Sequence, residues 1–148
     1  MELQIRKAMK KHFGYDGYKP GQEEVIKSIL QAHDTLGVMP TGGGKSLCYQ
    51  LPAMVLPGIT VVISPLIALM KDQVDALNDQ GVPASFINSS LEPDQVRYRL
   101  YQASRGRYKL LYVAPERLAS EYFNSQLNRM PVSLVAVDEA HCISQWGH

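Results

Sequence analysis

Residues 59–81, ITVVISPLIALMKDQVDALNDQG, combine a strand pattern and a helix pattern with almost no residues between them. The first six residues, ITVVIS (59–64), form a dense run rich in β-branched residues, which is typical of a strand that is buried on both faces. The residues that follow place apolar side chains on one helical face, namely Leu66, Met70, Val74 and Leu77. Gly81 comes soon after them and indicates where this helix ends. A buried strand followed directly by an amphipathic helix predicts an α/β fold.

The same alternation extends in both directions along the chain. Further strands are predicted at 34–39, 84–88, 108–114 and 133–141. Further helices are predicted at 22–32, 47–55, 89–106 and 115–130, and one short helix at the start by the spacing of Ile5, Met9 and Phe13. Strands that alternate with helices predict βαβ crossovers, and therefore a mostly parallel sheet with helices on both faces. Ligands of such sheets bind beyond the carboxyl ends of the strands.

Length and composition are those of one globular domain. The chain has 148 residues, of which 45% are hydrophobic and 20% charged, and its formal net charge is +1. This balance does not by itself predict a nucleic-acid partner, although a local basic stripe would suffice for one. The two cysteines, Cys48 and Cys142, lie far apart, which argues against a disulfide framework or a zinc site. We expect a soluble protein with neither a membrane span nor an export signal.

A glycine-rich loop, MPTGGGKS (39–46), stands between a predicted strand and a predicted helix. In this context, backbone N–H groups and the positive end of a helix bind phosphate. Lys45 would reach the terminal phosphates, and the Ser46 hydroxyl would hold Mg²⁺. Met39 occupies the position of the first glycine in the usual motif. The alternative is an ordinary glycine-rich turn whose lysine is solvated.

The last predicted strand ends in two carboxylates, Asp138 and Glu139. At the carboxyl end of a sheet that binds a nucleotide, Asp138 would anchor the magnesium shell. Glu139 would then orient or deprotonate the attacking water. The alternative is a strand exit whose acids face solvent. His141 follows closely, and its neighbours alone indicate only a hydrogen-bonded bystander.

Five segments in a fixed order resemble the motifs of the RecQ family of superfamily 2 DNA helicases. They are FGYDGYKPGQ (13–22), MPTGGGKS (39–46), SPLIALMKDQV (64–74), YVAPERL (112–118) and DEAHCISQWGH (138–148), which resemble motifs 0, I, Ia, Ib and II. Met39 fits this family's own form of the loop. The resemblance implies that residues 1–148 are the first RecA-like domain of a helicase, a P-loop NTPase fold incomplete at its C-terminus. It also implies a second RecA-like domain that this chain lacks.

The resemblance implies how ATP is held and cleaved. Tyr15 would stack on adenine and Gln22 would hydrogen-bond its edge, while Lys19 stands where the family usually has an arginine. The phosphates would be bound by the loop residues Thr41, Gly42, Gly43, Gly44, Lys45 and Ser46. The catalytic residues would be Lys45, Asp138, Glu139 and His141, with Ser46 and Asp138 on the metal. His141 would couple the nucleotide to the DNA side.

Contacts to the DNA backbone are implied at motifs Ia and Ib. The residues concerned are Ser64, Pro115 and Arg117. Trp146 would begin an aromatic loop that senses single-stranded DNA, because an indole is a good platform for base stacking. Without the resemblance, the segments around Ser64 and Pro115 would be interpreted as plain strand-to-helix turns.

The resemblance implies that the chain is the ATP-binding domain of a 3′–5′ DNA helicase that acts in recombination and repair. ATP and Mg²⁺ are the expected cofactors, and single-stranded DNA, duplex DNA and a second RecA-like domain are the expected partners. The expected location is the cytoplasm, or the nucleus of a eukaryote. We expect this chain alone to hydrolyse ATP slowly or not at all. The alternative is a stand-alone module that binds ATP or DNA without turnover.

Overall fold

The computed structural model describes residues 2–19, 21–31 and 46–138. The contacts between residues divide the chain into two compact units, Met1–Pro57 and Gly58–His148. Within the described ranges, no helix is both long and apolar enough to cross a membrane. The strand predicted at 34–39 and most of the phosphate loop that follows it lie outside the described residues.

The described part of the first unit is helical. Its elements are α1 (Glu2–Ala8), a π-helical turn (Met9–Phe13), α2 (Gln22–Leu30) and α3 (Leu47–Val55). They share one apolar cluster, composed of Ile5, Met9, Ile26, Leu47 and Leu51. The short first helix predicted from Ile5, Met9 and Phe13 is present, and beyond Ala8 it continues as the wider π turn. Gly14 ends it in the left-handed conformation, with φ at 72°, which residues with a Cβ rarely adopt.

The second unit contains a parallel sheet of four strands. They are β1 (Ile59–Ile63), β2 (Ala84–Ile87), β3 (Leu110–Val113) and β4 (Val132–Val137). The strand order is β2-β3-β1-β4, and every neighbouring pair is parallel. The predicted parallel sheet is therefore confirmed. Strand β4 ends at Val137, and residues 139–141 of the strand predicted at 133–141 lie outside the described residues.

Helices connect the strands of this sheet. They are α4 (Ile67–Asp79), α5 (Pro93–Ser104), a 3₁₀ helix (Pro115–Ala119) and α6 (Glu121–Leu127). The step from β1 to β2 runs in one direction across the sheet, and the steps from β2 to β3 and from β3 to β4 run in the other. Because such crossovers are right-handed, α4 covers one face, while α5 and α6 cover the opposite face. Helices on both faces were predicted from the sequence.

One hydrophobic cluster of the second unit lies between the sheet and the helices α5 and α6. It includes Val61 and Ile63 of β1, Leu111 and Val113 of β3, Val96 and Leu100 of α5, and Phe123 of α6. All five residues of β1 are buried, as its β-branched run predicts. Strand β4 differs, since Val135 and Val137 are 55% and 48% exposed.

The helix predicted at 115–130 is interrupted at Ser120. This residue has an extended backbone, with φ −85° and ψ 123°, and its hydroxyl accepts a hydrogen bond of 3.2 Å from the Phe123 amide. That bond caps α6 and separates it from the preceding 3₁₀ helix. The prediction of one continuous helix is therefore wrong, because a serine followed by Glu121 starts a new helix.

Candidate functional site

The carboxyl ends of the four parallel strands meet at one edge of the sheet. Ser64 follows β1, Asn88 follows β2, Ala114 begins the turn after β3, and Asp138 follows β4. The structure therefore brings the predicted DNA-binding residues of motifs Ia and Ib to the same edge as a predicted metal ligand. This edge, defined by Ser64, Asn88, Ala114–Arg117 and Asp138, is called the C-terminal edge below.

Ser64 is 5% exposed and lies in a tight strand-to-helix turn. Its amide donates to the Val113 carbonyl at 3.1 Å, and its Oγ accepts from the Leu66 amide at 3.3 Å. The first bond joins the ends of β1 and β3, and the second shapes the start of α4. The turn expected from the sequence is present, and a DNA contact by Ser64 stays a prediction.

Pro115 and Arg117 belong to the 3₁₀ helix directly after β3. Pro115 is buried at its first position, where the missing N–H of proline costs no hydrogen bond. Arg117 is partly exposed, and its Nη2 donates to the Asn88 carbonyl at 2.9 Å. This hydrogen bond connects Arg117 to the residue that follows the neighbouring strand β2.

Asp138 is held at the end of β4 by the backbone. Its amide donates to the Ile63 carbonyl at 2.9 Å, which continues the pairing of β1 with β4 by one residue. The carboxylate side chain is partly exposed at the C-terminal edge. The predicted functional residues Glu139, His141 and Trp146 lie outside the described residues.

In the first unit, the segment predicted to hold adenine includes Tyr15, Lys19 and Gln22. Gln22 is 1% exposed, and its Oε1 accepts a hydrogen bond of 2.8 Å from the Lys19 amide. The Gln22 amide in turn donates to the Lys19 carbonyl at 3.1 Å. The structure thus joins Lys19 and Gln22 at the start of α2, while the Tyr15 ring is 47% exposed.

Ser46 precedes α3, and its hydroxyl makes no capping hydrogen bond to that helix. Because the Ser46 hydroxyl does not cap the helix, it suits the predicted role as a metal ligand.

Cys48 lies two residues further on and is buried in α3, and burial raises the pKa of its thiol. Cys48 therefore stays protonated at neutral pH and is unsuited to act as a nucleophile. The loop residues Thr41, Gly42, Gly43, Gly44 and Lys45 lie outside the described residues.

Asn88 is the residue of the C-terminal edge that the sequence reasoning missed. It is 2% exposed, and its side chain bonds Ser90 and Met70 while its carbonyl bonds Arg117. A sequence signal was present, because an asparagine followed by two serines directly after a strand favours a side-chain-stabilised turn.

The DEAD/DEAH box helicase profile matches residues 19–148. The chain belongs to this family. It is 53% identical over 138 residues to the ATP-dependent DNA helicase RecQ of Bacillus subtilis, which covers 93% of the chain and 23% of the relative. It is 51% identical over 140 residues to RecQ of Haemophilus influenzae, with coverage of 95% and 23%. The chain thus spans about a quarter of these curated relatives, and the predicted similarity to RecQ helicases is confirmed.

A solved structure agrees with the fold. The structure of a hypothetical ATP-dependent RNA helicase from Sulfolobus tokodaii superimposes with a TM-score of 0.74, at 19% identity. The match covers 99% of this chain and 44% of the other. At this identity the likeness concerns the fold alone, and it agrees with the RecA-like α/β architecture predicted from the sequence.

Proposed function

We propose that this chain is the ATP-binding part of a DNA helicase. In the whole protein, ATP hydrolysis is coupled to 3′–5′ movement on single-stranded DNA and to duplex unwinding. The proposal is carried by the C-terminal edge, where Ser64, Arg117 and Asp138 are collected in a chain that is 53% identical to a DNA helicase. Recombination and repair in the cytoplasm or nucleus is the proposed setting.

ATP is held, in this proposal, by the loop at 41–46 and by the segment that contains Tyr15, Lys19 and Gln22. Residues 41–46 cradle the phosphates, because backbone N–H groups and the lysine of such a loop neutralise their charge. Tyr15 and Gln22 contact adenine, and the bond between Gln22 and the Lys19 amide supports this by fixing the orientation of the glutamine amide. Lys19 contributes a point charge rather than a planar guanidinium.

The oxygen donors on the chain fit Mg²⁺. Ser46 offers a hydroxyl that does not cap α3, and Asp138 offers a partly exposed carboxylate. Both are hard oxygen ligands, which Mg²⁺ prefers. Mg²⁺ in nucleotide sites is usually bound by one or two protein oxygens together with phosphates and water. Bound Mg²⁺ would neutralise charge on the phosphates. Glu139 orients the attacking water and accepts its proton.

DNA binding is assigned to the C-terminal edge. Arg117 and the backbone around Ser64 and Pro115 contact phosphates of single-stranded DNA, which fixes the position of the strand without reading its sequence. Trp146 stacks on a base, and His141 transmits DNA occupancy to the nucleotide. A second RecA-like domain supplies an arginine finger, which is worth about 10³–10⁵ in rate.

The decisive experiment is ATP hydrolysis with and without single-stranded DNA, by the whole natural protein and by residues 1–148. We expect DNA to stimulate the whole protein and the short chain to be nearly inactive. Lys45→Ala should abolish hydrolysis, because the loop lysine stabilises the charge that develops on the transferred phosphate. Lys71→Ala is the matched control, since Lys71 is an exposed lysine paired with Asp75.

Two outcomes would count against the helicase. If the whole protein binds ATP and DNA but hydrolyses nothing, the stand-alone binding module replaces the helicase proposal. If Lys45→Ala and Lys71→Ala behave alike, the loop does not hold the phosphates.

A further inference from the structure

Asn88 joins two turns at the C-terminal edge. One turn connects β2 to α5, and the other is the 3₁₀ helix after β3 that carries Arg117. The two are already paired through the bond from the Ala114 amide to the Ile87 carbonyl at 3.1 Å. The bond from Arg117 Nη2 to the Asn88 carbonyl, at 2.9 Å, extends this connection beyond the strands.

The Asn88 side chain fixes the position of that carbonyl. Its Oδ1 accepts from the Ser90 amide at 2.8 Å and from the Ser90 hydroxyl at 2.5 Å. Its Nδ2 donates to the Met70 sulfur in α4 at 3.6 Å. With 2% exposure, the side chain is packed on all sides and is held by groups both of its own turn and of a neighbouring helix.

The consequence is an arginine with a fixed orientation. A guanidinium has five N–H donors in a rigid fork, so one bond from Nη2 to a fixed carbonyl constrains the direction of the others. Arg117 remains partly exposed at the edge to which DNA binding is assigned. A preorganised arginine loses less freedom when it binds phosphate, and its contact is correspondingly stronger.

We propose that Asn88 is a positioning residue for DNA binding, which acts by holding Arg117 in a phosphate-binding orientation. The inference rests on the proposed function. It says that the uncharged, buried side chain of Asn88 strengthens the contact between Arg117 and a DNA phosphate. A merely structural role of Asn88 would have a different effect, because general loosening of the fold would not remove this one charge contact.

The test is the salt dependence of single-stranded DNA binding by the whole protein. Each phosphate contact on a single strand contributes about 0.7 to the slope of log K against log salt. We expect Arg117→Ala to lower the slope by about this amount and affinity at low salt by about fivefold to tenfold. Asn88→Ala should reproduce both losses, and the double variant should be no weaker than Arg117→Ala alone.

Two further variants complete the series. Asn88→Ser should give an intermediate loss, because a serine hydroxyl supports the same kind of turn more weakly. Asn78→Ala is the matched control, since Asn78 bonds the Ala84 backbone at the opposite end of β2. It should leave the slope unchanged.

Several results would overturn the inference. They are a wild-type slope in Asn88→Ala, additive losses in the double variant, or an unchanged slope in Arg117→Ala. The last result decides the matter even if Asn88→Ala fails to fold. If the wild-type protein binds no DNA, the proposed function falls with the inference; if it binds and the Asn88 variants match the control, the inference alone falls.

Discussion

At Gly58 the neighbouring backbone leaves no space for a Cβ atom. It precedes β1 with φ at 75°, and a Cβ there would overlap the Pro131 carbonyl oxygen and approach the Ser133 hydroxyl. That same carbonyl accepts the Ile59 amide at 2.9 Å, the bond with which β1 and β4 begin to pair. A close approach of two backbones and a left-handed conformation therefore coincide at one residue.

Gly58→Ala should destabilise the protein by about 2–4 kcal/mol, because backbone must shift to relieve the overlap. Gly106→Ala is the matched control, since Gly106 has a similar φ of 73° with nothing within 4 Å of a Cβ. It should cost about 1 kcal/mol from the conformation alone. Urea unfolding of the two variants checks the difference, and equal losses would show that the Pro131 carbonyl imposes no constraint.

Strand β2 is one of the two edge strands of the described sheet, and its outer edge is covered by side chains. The Ala84 amide and carbonyl both bond the Asn78 side chain, at 2.9 and 3.2 Å. The Phe86 carbonyl accepts from Arg99 at 2.9 Å, and the Arg99 guanidinium lies 4.6 Å from the centre of the Phe86 ring. Covered edges of this kind prevent pairing with strands of other molecules.

Arg99→Ala should uncover the edge of β2. We expect a loss of about 1–2 kcal/mol in stability, from one charge-assisted bond and one cation–π contact, together with greater self-association. Arg97→Ala is the control, because Arg97 lies on the same helix in an exposed pair with Asp94. Such pairs contribute at most about 1 kcal/mol. Light scattering and thermal unfolding compare the two variants, and equal association by both would refute the edge explanation.

At the scale of the whole molecule, ligand binding should raise the free energy of unfolding. A ligand at 100 times its dissociation constant stabilises the protein that binds it by about 2.7 kcal/mol. ATP with Mg²⁺ should therefore raise the unfolding temperature, and removal of Mg²⁺ by EDTA should reverse most of that rise. Differential scanning fluorimetry measures both effects.

Two variants make this prediction specific. Lys45→Ala should abolish the stabilisation by ATP, whereas Lys71→Ala should retain it. A rise in unfolding temperature that persists in Lys45→Ala would locate the nucleotide away from the loop at 39–46.

The sequence was informative where a pattern is local. Strand β1 was predicted from six consecutive residues, and α4 from the spacing of Leu66, Met70, Val74 and Leu77. The last three are buried, but the placement of Leu66 on the buried face is wrong, because it precedes α4 and is 38% exposed. The interruption at Ser120 was missed because the residues on both sides of it favour helix, and periodicity does not reveal the capping bond from the Phe123 amide to the Ser120 hydroxyl. The π turn after Ala8 was missed because the spacing of apolar residues in it is close to that of an α-helix.

The sequence by itself determined the α/β class, the order of the elements and the residues proposed for chemistry, since these depend on periodicity and on motifs within short segments. Only the tertiary structure decided the strand order β2-β3-β1-β4 and the bond between Arg117 and Asn88. Strand order depends on which apolar faces pack together after the crossovers form. The Arg117–Asn88 bond joins residues 29 positions apart, and no local pattern specifies a partner at that distance.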